Sequence, residues 1–327
     1  MIYPAFIEKG STIGICAPSA GVGRKLDEFD RSLQRLRKEE YILKETASVR
    51  LNDVRGGDAE TRGKELNSLI NDEETDMIMC AAGGDFLFEI LPYVRFRDMQ
   101  KHPKWIMGAS DPTGLLFPLT SKYDIATIYG CNAGSYDLVP LPKYLRNNLR
   151  IIKGGLMEQK SFSKYMKTPS FLAEKIEMDT PVRWKSDIKE LNVTGRCIGG
   201  CIDVLKDLIG TPYDGAKSFV QRYADDGVIW YFDNFSQSAE VMYRTLLQMK
   251  YAGWFKNTKA VLIGRVLFES SETGMSYADG FRSVFTDIPV IWEADIGHTM
   301  PSMTMINGAL LELHYKNEKA SLKFILE

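Results

Sequence analysis

The sequence predicts an α/β protein built in two parts. Through its first half, short apolar runs that end in small residues alternate with charged, helix-periodic stretches. At 327 residues the chain is long enough for two domains rather than one. From about Leu138 to Trp184 a less regular stretch rich in Lys, Pro and Ser interrupts the rhythm, and a second set of strands and helices follows.

Taken in order, STIGICAPSAG reads as a strand closed by a small-residue loop, and Leu26 to about Lys38 as a charged helix. YILKETASV is a second strand. RGGDAETRGKELNSLIND is a loop and then a helix, with Thr61 as its cap. TDMIMCAAGG is a strand running into a Gly-Gly turn, and FLFEILPYV a short helix. KWIMGAS is a strand ending in a tight bend, before a helix that opens on Pro112. In an open parallel sheet, loops at the carboxyl ends of such strands line the ligand crevice. Beyond the irregular stretch, TGRCIGGCIDVLKDLIG reads as a Gly-rich turn leading into a helix, GVIWYFDNF as a strand and SAEVMYRTLLQMKYAGWF as a strong helix. KAVLIGRV and PVIWEADIGH are strands again, and ALLELHYKNEKASLKFIL alternates as a hairpin does. The boundary is placed near residue 160, giving domains 1–160, with a linker beginning near 138, and 161–327.

Composition narrows the function. Hydrophobic residues make up 44% and charged residues 26% of the chain, as in an ordinary globular protein. Lys plus Arg number 41 and Asp plus Glu 43, so the net charge of -2 supplies no general field for nucleic acid or an anionic membrane. The start, MIYPAFIEKGSTIGICAPSAG, lacks a leader pattern and no later run is long enough to span a bilayer, so a cytoplasmic protein without membrane partners is expected. Five cysteines (Cys16, Cys80, Cys131, Cys197 and Cys201) form no regular framework and read as free thiols of a reducing compartment. No H-E-x-x-H occurs, and the C-x-x-x-C of Cys197 and Cys201 has no second pair, so no metal is expected. Neither G-x-G-x-x-G nor a Walker signature appears, so no cofactor is expected either.

Chemistry then rests on few residues. Of the three histidines, His102 lies in a polar loop and His314 in the alternating run LELHYK, both simplest as surface residues. His298 ends a buried-strand pattern beside a glycine, where a general base or a loop residue both fit. Ser110 sits in a sharp strand-to-helix bend, which suits a nucleophile and equally suits a helix cap. Gly83 and Gly84 offer unencumbered backbone donors for half an oxyanion hole, or simply a tight turn. Asp233 ends the apolar run GVIWYF and is the best acidic partner for a histidine. At the bend, the Asp111 side chain is expected to point away from the Ser110 hydroxyl. Asp295 and Glu293 stand too close in sequence to His298 to be its independent partner, which leaves them a supporting place.

GASDPTGLL resembles the G-x-S-D-x-T nucleophile segment of the LD-carboxypeptidase family of serine peptidases, which includes the microcin C self-immunity peptidases. IGICAPSAG, AAGGDFLFEILPYVRF, GRCIGGCIDVLKDLIGTPY, YFDNF, LIGR and DIGHTMPSMTMINGALLEL resemble further family segments in the same order. The resemblance implies an amino-terminal Rossmann-like domain with a parallel sheet, a smaller β-rich carboxy-terminal domain, and a homodimer. It maps the nucleophile to Ser110, the base to His298 and the acid to Asp233, with the backbone amides of Gly84 and Asp111 as oxyanion donors. Gly83, Asp85, Tyr136 and Trp184 complete the candidate substrate contacts, the two aromatics being equally suited to packing. The implied activity is hydrolysis of an amide bond in a small peptide-derived substrate. The alternatives are hydrolysis of aminoacyl or peptidyl nucleotide amides, and an inactive binding or sensing homologue. Asp233 is one methylene shorter than the family's glutamate, Ala82 stands where many members have Arg, and Ile306 and Asn307 replace the usual Pro-x. A misplacement of about 1 Å can cost on the order of a hundredfold in rate, so the shorter acid bears directly on activity.

Overall fold

A computed structural model describes residues 1–173 and 175–327. The chain divides into two compact units, one of Met1–Leu156 with Thr304–Asn307, the other of Met157–Met303 with Gly308–Glu327. Among the described residues no helix is long and apolar enough to cross a membrane.

In the first unit, β1 (Thr12–Cys16), β2 (Ile42–Glu45), β3 (Met77–Cys80), β4 (Trp105–Gly108) and β5 (Thr127–Tyr129) are parallel. Met305–Asn307, β14 in chain order, pairs antiparallel with β5. The sheet order is β14-β5-β4-β3-β1-β2. Every residue of β3, β4 and β5 is buried, as in parallel sheets covered on both faces, which is why they read as unbroken apolar runs. The order reverses between β1 and β3, so the loops after these two strands flank the switch point where open α/β sheets bind ligands.

Helix α1 (Leu26–Lys38) buries Phe29, Ser32, Leu33 and Leu36 in one stripe, with Asp27 and Glu28 in its first turn and Arg35, Arg37 and Lys38 in its last, as the helix dipole favours. Helix α2 (Ala59–Asn71) is capped by Asp58, not by Thr61 as expected. A cap must precede the helix so that its oxygen can meet the third residue's N–H, and that N–H belongs to Thr61, 2.9 Å from Asp58 Oδ1. The FLFEILPYV segment forms a 3₁₀ turn over Phe88–Tyr93 with Pro92 inside it. Helix α3 (Asp98–Lys101) is short, and all nine residues of α4 (Thr113–Ser121) are buried. Within the stretch expected to be irregular, α5 (Lys143–Ile151) is an ordered amphipathic helix burying Tyr144, Leu145, Asn148, Leu149 and Ile151.

The second unit holds an eight-stranded mixed sheet. Its strands are β6 (Glu158–Lys160), β9 (Lys185–Ser186), β10 (Glu190–Cys201), β11 (Val228–Asp233), β12 (Thr258–Gly264), β13 (Val290–Ala294), β15 (Leu310–Lys316) and β16 (Lys319–Ile325), in the order β6-β16-β15-β10-β11-β12-β13-β9. Two-residue strands β7 (Lys164–Tyr165) and β8 (Thr180–Pro181) pair separately. Strands β10 to β13 are parallel, and α6 (Ile202–Leu208), α7 (Ala216–Arg222), α8 (Ala239–Tyr251) and α9 (Tyr277–Val284) lie between them in sequence. This parallel core with its connecting helices makes the second unit as long as the first, so it is β-rich but not the smaller one. GRCIGGC, expected as a turn, is the buried end of β10. Its glycines serve close strand packing: a Cβ at Gly199 would lie 1.8 Å from the Tyr231 carbonyl oxygen.

Candidate active site

In the first unit, β4 delivers Ser110 to a bend. Ser110 has φ +68, the left-handed region that a non-glycine residue adopts at some cost. Its N–H donates to the Tyr129 hydroxyl at 3.1 Å and its carbonyl accepts the Thr113 N–H at 2.9 Å. No side chain caps α4. Ser110 therefore supports the helix through its backbone, and its hydroxyl is not spent on capping.

The loop after β3 runs alongside. A Cβ on Gly83 would lie 3.1 Å from Ser110 Cβ and 3.4 Å from its Oγ, and one on Gly84 would lie 3.0 Å from Ala20 Cβ in the loop after β1. Glycine is thus the residue that lets these carboxyl-end loops approach the serine and each other. Arg62, 1% exposed, laces them: Nη1 donates to the Pro18 carbonyl at 2.7 Å and to Ser19 at 3.3 Å, while Nη2 pairs with Glu89 and reaches the Phe86 carbonyl at 3.4 Å. Asp111 is buried, with Oδ2 accepting the Leu87 N–H at 3.0 Å. Burial pushes its carboxyl up to about 6 despite that bond, and the charge of exposed Asp85 adds to the rise.

In the second unit the register pairs Cys201 at the end of β10 with Asp233 at the end of β11. His298, four residues beyond β13, lays Nδ1 2.7 Å from Asp233 Oδ2, and its backbone N–H donates to Oδ1 at 3.2 Å. Asp233 is wholly buried and the imidazole mostly so, with the Phe235 ring 4.7 Å away. Burial by itself lowers the proton affinity of His298. The charge of Asp233, its hydrogen bond and the charge of Asp203 outweigh this and raise the pKa above 6.5. Asp203 in turn accepts the N–H groups of Phe235 at 2.9 Å and Ser236 at 3.1 Å, which fixes the loop after β11.

Cys201 was not legible as part of this group. Its side-chain ligand atom and those of Asp233 and His298 all lie within 4.8 Å of one another. Burial, then the charges of Asp233 and Asp203, hold its thiol well above the usual range, so it stays protonated. A sulfur, an oxygen and a nitrogen are ligand types for a borderline metal such as zinc. Here, however, the oxygen and nitrogen stand 2.7 Å apart, close enough for an acid to orient a base.

Tyr136 and Trp184, the aromatic candidates for substrate stacking, are both buried. The Tyr136 hydroxyl bonds Asn148, and Trp184 Nε1 donates to Asp295 Oδ2 at 3.0 Å. His102 is half-buried at the end of α3 and His314 is exposed on β15 beside Asn192. Among the described residues none of the five cysteines is joined in a disulfide.

The first unit thus holds a left-handed serine in a strand-to-helix bend, and the second a buried carboxylate beside a histidine; the hydrolase class, that of the serine carboxypeptidases, comes from the family. The chain belongs to the LD-carboxypeptidase family: the family's N-terminal domain matches residues 13–130 and its C-terminal domain residues 194–313. The microcin C7 self-immunity protein MccF of Escherichia coli is 25% identical over 96% of this chain and 93% of its own length. The structure of an MccF-like protein from Bacillus anthracis superposes with a TM-score of 0.83 at 20% identity, covering 100% of both chains. Muramoyltetrapeptide carboxypeptidase from Oxalobacter formigenes gives 0.77 at 20% identity, covering 96% of this chain and 98% of its own. Among the solved structures similar to this chain, MccF is also described in complex with glutamyl sulfamoyl guanosine and with aspartyl sulfamoyl adenosine.

Proposed function

We propose that this chain is a serine peptidase or amidohydrolase that cleaves an amide bond in a small peptide-derived substrate through Ser110, His298 and Asp233. His298 takes the hydroxyl proton as Ser110 attacks the carbonyl. The amides of Gly84 and Asp111 stabilise the oxyanion, and Asp233 keeps the imidazole in the tautomer that presents Nε2. Protonated His298 then gives its proton to the leaving amine, and water releases the acyl group by the reverse sequence. The observation that carries this is the 2.7 Å contact between Nδ1 of His298 and buried Asp233. The left-handed Ser110, flanked by Gly83, supports the nucleophile's part.

Two amide classes are tested side by side, a murein L,D-tetrapeptide and aspartyl sulfamoyl adenosine, the second suggested by the ligands described for MccF. Turnover of either, lost in Ser110→Ala and in His298→Ala while both variants melt as the parent does, supports the mechanism. Undiminished turnover in Ser110→Ala refutes it. Failure of a serine-directed probe to label the parent would favour an inactive binding homologue. The proposal includes a cytoplasmic homodimer without nucleic-acid or membrane partners; the near-neutral charge and five cysteines outside any disulfide support it, and sedimentation of the purified chain tests the dimer.

A further inference from the structure

We propose that Arg265 is a positioning residue for His298, a buried guanidinium clamp on the segment that carries the imidazole. This rests on His298 being the general base. Arg265 follows β12 and is 3% exposed. Its donors address the chain on both sides of His298. On the near side, Nη1 donates to the Glu293 carbonyl at 3.1 Å and Nη2 to Asp295 Oδ1 at 2.5 Å. On the far side, Nε donates to Thr299 Oγ1 at 3.3 Å and Nη2 to the Pro301 carbonyl at 3.4 Å. The Tyr165 ring covers the guanidinium, 4.4 Å from its centroid. Asp295 is fully buried, and its second oxygen accepts the Phe162 N–H at 2.8 Å and Trp184 Nε1 at 3.0 Å. The segment is also pinned to itself, by Met303 N–H to the Asp295 carbonyl at 2.7 Å and Gly297 N–H to Ser302 Oγ at 2.9 Å.

The physical case turns on what a buried ion pair does. Taking both charges from water offsets most of their attraction, so an apolar pair of similar volume is often as stable. What an apolar pair cannot do is fix four acceptors at set directions. A planar guanidinium carries five N–H donors in a rigid fork, whereas a lysine offers one flexible point charge. Between the clamped ends lies Gly297 at φ +101, a residue with the widest backbone freedom. The clamp holds both ends of the segment whose middle carries His298 to Asp233, and so adds to the direct contacts between them.

The test uses the full chain with Arg265→Lys and with the double variant Arg265→Met, Asp295→Leu. Three readouts are taken: thermal melting, the titration midpoint of the His298 imidazole by NMR, and kcat and KM on whichever of the two amide substrates the parent cleaves. With only three histidines in the chain the imidazole signals are assignable. Asp233, Asp203, Cys201 and Phe235 face the imidazole and are unchanged in both variants. Folded variants should lose about 30- to 100-fold in kcat with KM within about twofold. The His298 midpoint should fall as the Asp233 contact loosens. Folded variants with the parent's kcat and midpoint would overturn the clamp. If both fail to fold, Thr299→Val removes one of the four contacts: a several-fold fall in kcat with KM held supports the clamp, and unchanged kcat and midpoint overturn it. Should Ser110→Ala or His298→Ala retain full activity, the catalytic reading fails, yet the His298 midpoint in the Arg265 variants still reports on the clamp.

Discussion

Gly297→Ala should disable the proposed base without replacing a side chain of the proposed chemistry. Gly297 has φ +101, where an alanine costs about 1–3 kcal/mol. Its Cβ would lie 1.9 Å from Asp233 Oδ1, 2.3 Å from Cγ and 2.9 Å from Cβ. Ordinary carbon–oxygen contacts begin near about 3.3 Å, so the carboxylate or the 297–298 backbone must yield by roughly 1.4 Å. Asp233 is wholly buried, so the displacement falls on the 2.7 Å contact with His298 Nδ1. A shift of that size costs about a hundredfold, and full loss of the acid's orienting part about ten-thousandfold, so kcat should fall between those bounds. The pH dependence gives the sign. In the proposed mechanism His298 works as a neutral base, so kcat/KM should rise with pH through its folded midpoint, which lies above 6.5 in the parent. In the variant that limb moves to lower pH while the plateau drops. Because the folded value is raised, protonated His298 contributes stability that is full below about 6.5 and lost as pH rises through the folded midpoint. The variant should lose that contribution too. Steady-state kinetics from pH 5 to 9 with a melting curve at each pH makes the test. A folded Gly297→Ala enzyme with the parent's kcat and acid limb would refute the reasoning.

Three other substitutions probe the first unit. Ser110→Gly removes the nucleophile but relieves the left-handed backbone, so it should unfold at higher denaturant than Ser110→Ala, by about 1 kcal/mol in equilibrium unfolding. Gly83→Ala sets a methyl 3.1 Å from Ser110 Cβ and 3.4 Å from Oγ, and should lower kcat/KM about tenfold while leaving the melting temperature within a few degrees. Asp111 has a folded value raised from 3.8 to about 6 by burial, so it contributes stability that is present below 3.8 and lost as pH rises through about 6. That loss is worth roughly 3 kcal/mol, and Asp111→Asn, which keeps an acceptor for the Leu87 N–H, should erase it in denaturant melts compared at pH 4 and pH 8.

The first unit was legible because a fully buried parallel sheet writes itself as short apolar runs, and MIMC and WIMG could be little else. GRCIGGC misled because glycine usually punctuates; that Gly199 admits the Tyr231 carbonyl is known only once β11 lies beside β10. The helix in the irregular stretch was hidden behind Pro140 and Pro142, although Tyr144, Leu145, Asn148 and Leu149 carry the helical period. Ser110, Asp233 and His298 were named because each stands at or shortly beyond the carboxyl end of a strand. Cys201, Arg62 and Arg265 were not, because their parts depend on register and on carbonyls that no sequence displays. Tyr136 and Trp184 were named for their ring chemistry, and the structure adds that both rings are buried, which no local pattern displays.

Asp233 carries the sharpest question the sequence raised, since it is one methylene shorter than the glutamate of the resembled family. A shorter acid reaches its histidine only if the backbone beside it comes closer. That is what Gly297 permits: the position a Cβ would take lies 1.9 Å from Asp233 Oδ1, so a bare α-carbon is what admits the carboxylate. The same approach brings the His298 N–H to 3.2 Å from Oδ1 while Nδ1 meets Oδ2 at 2.7 Å. One short carboxylate thereby holds both the ring and the backbone that carries it, and the orientation of the imidazole is fixed twice. Lengthening the acid is then no repair. Asp233→Glu would add a methylene, about 1.5 Å of reach, into a fully buried space already closed by Gly297, and should lower kcat rather than raise it. A faster Asp233→Glu enzyme, measured by kcat under saturating substrate, would show instead that the aspartate sits too far from its histidine.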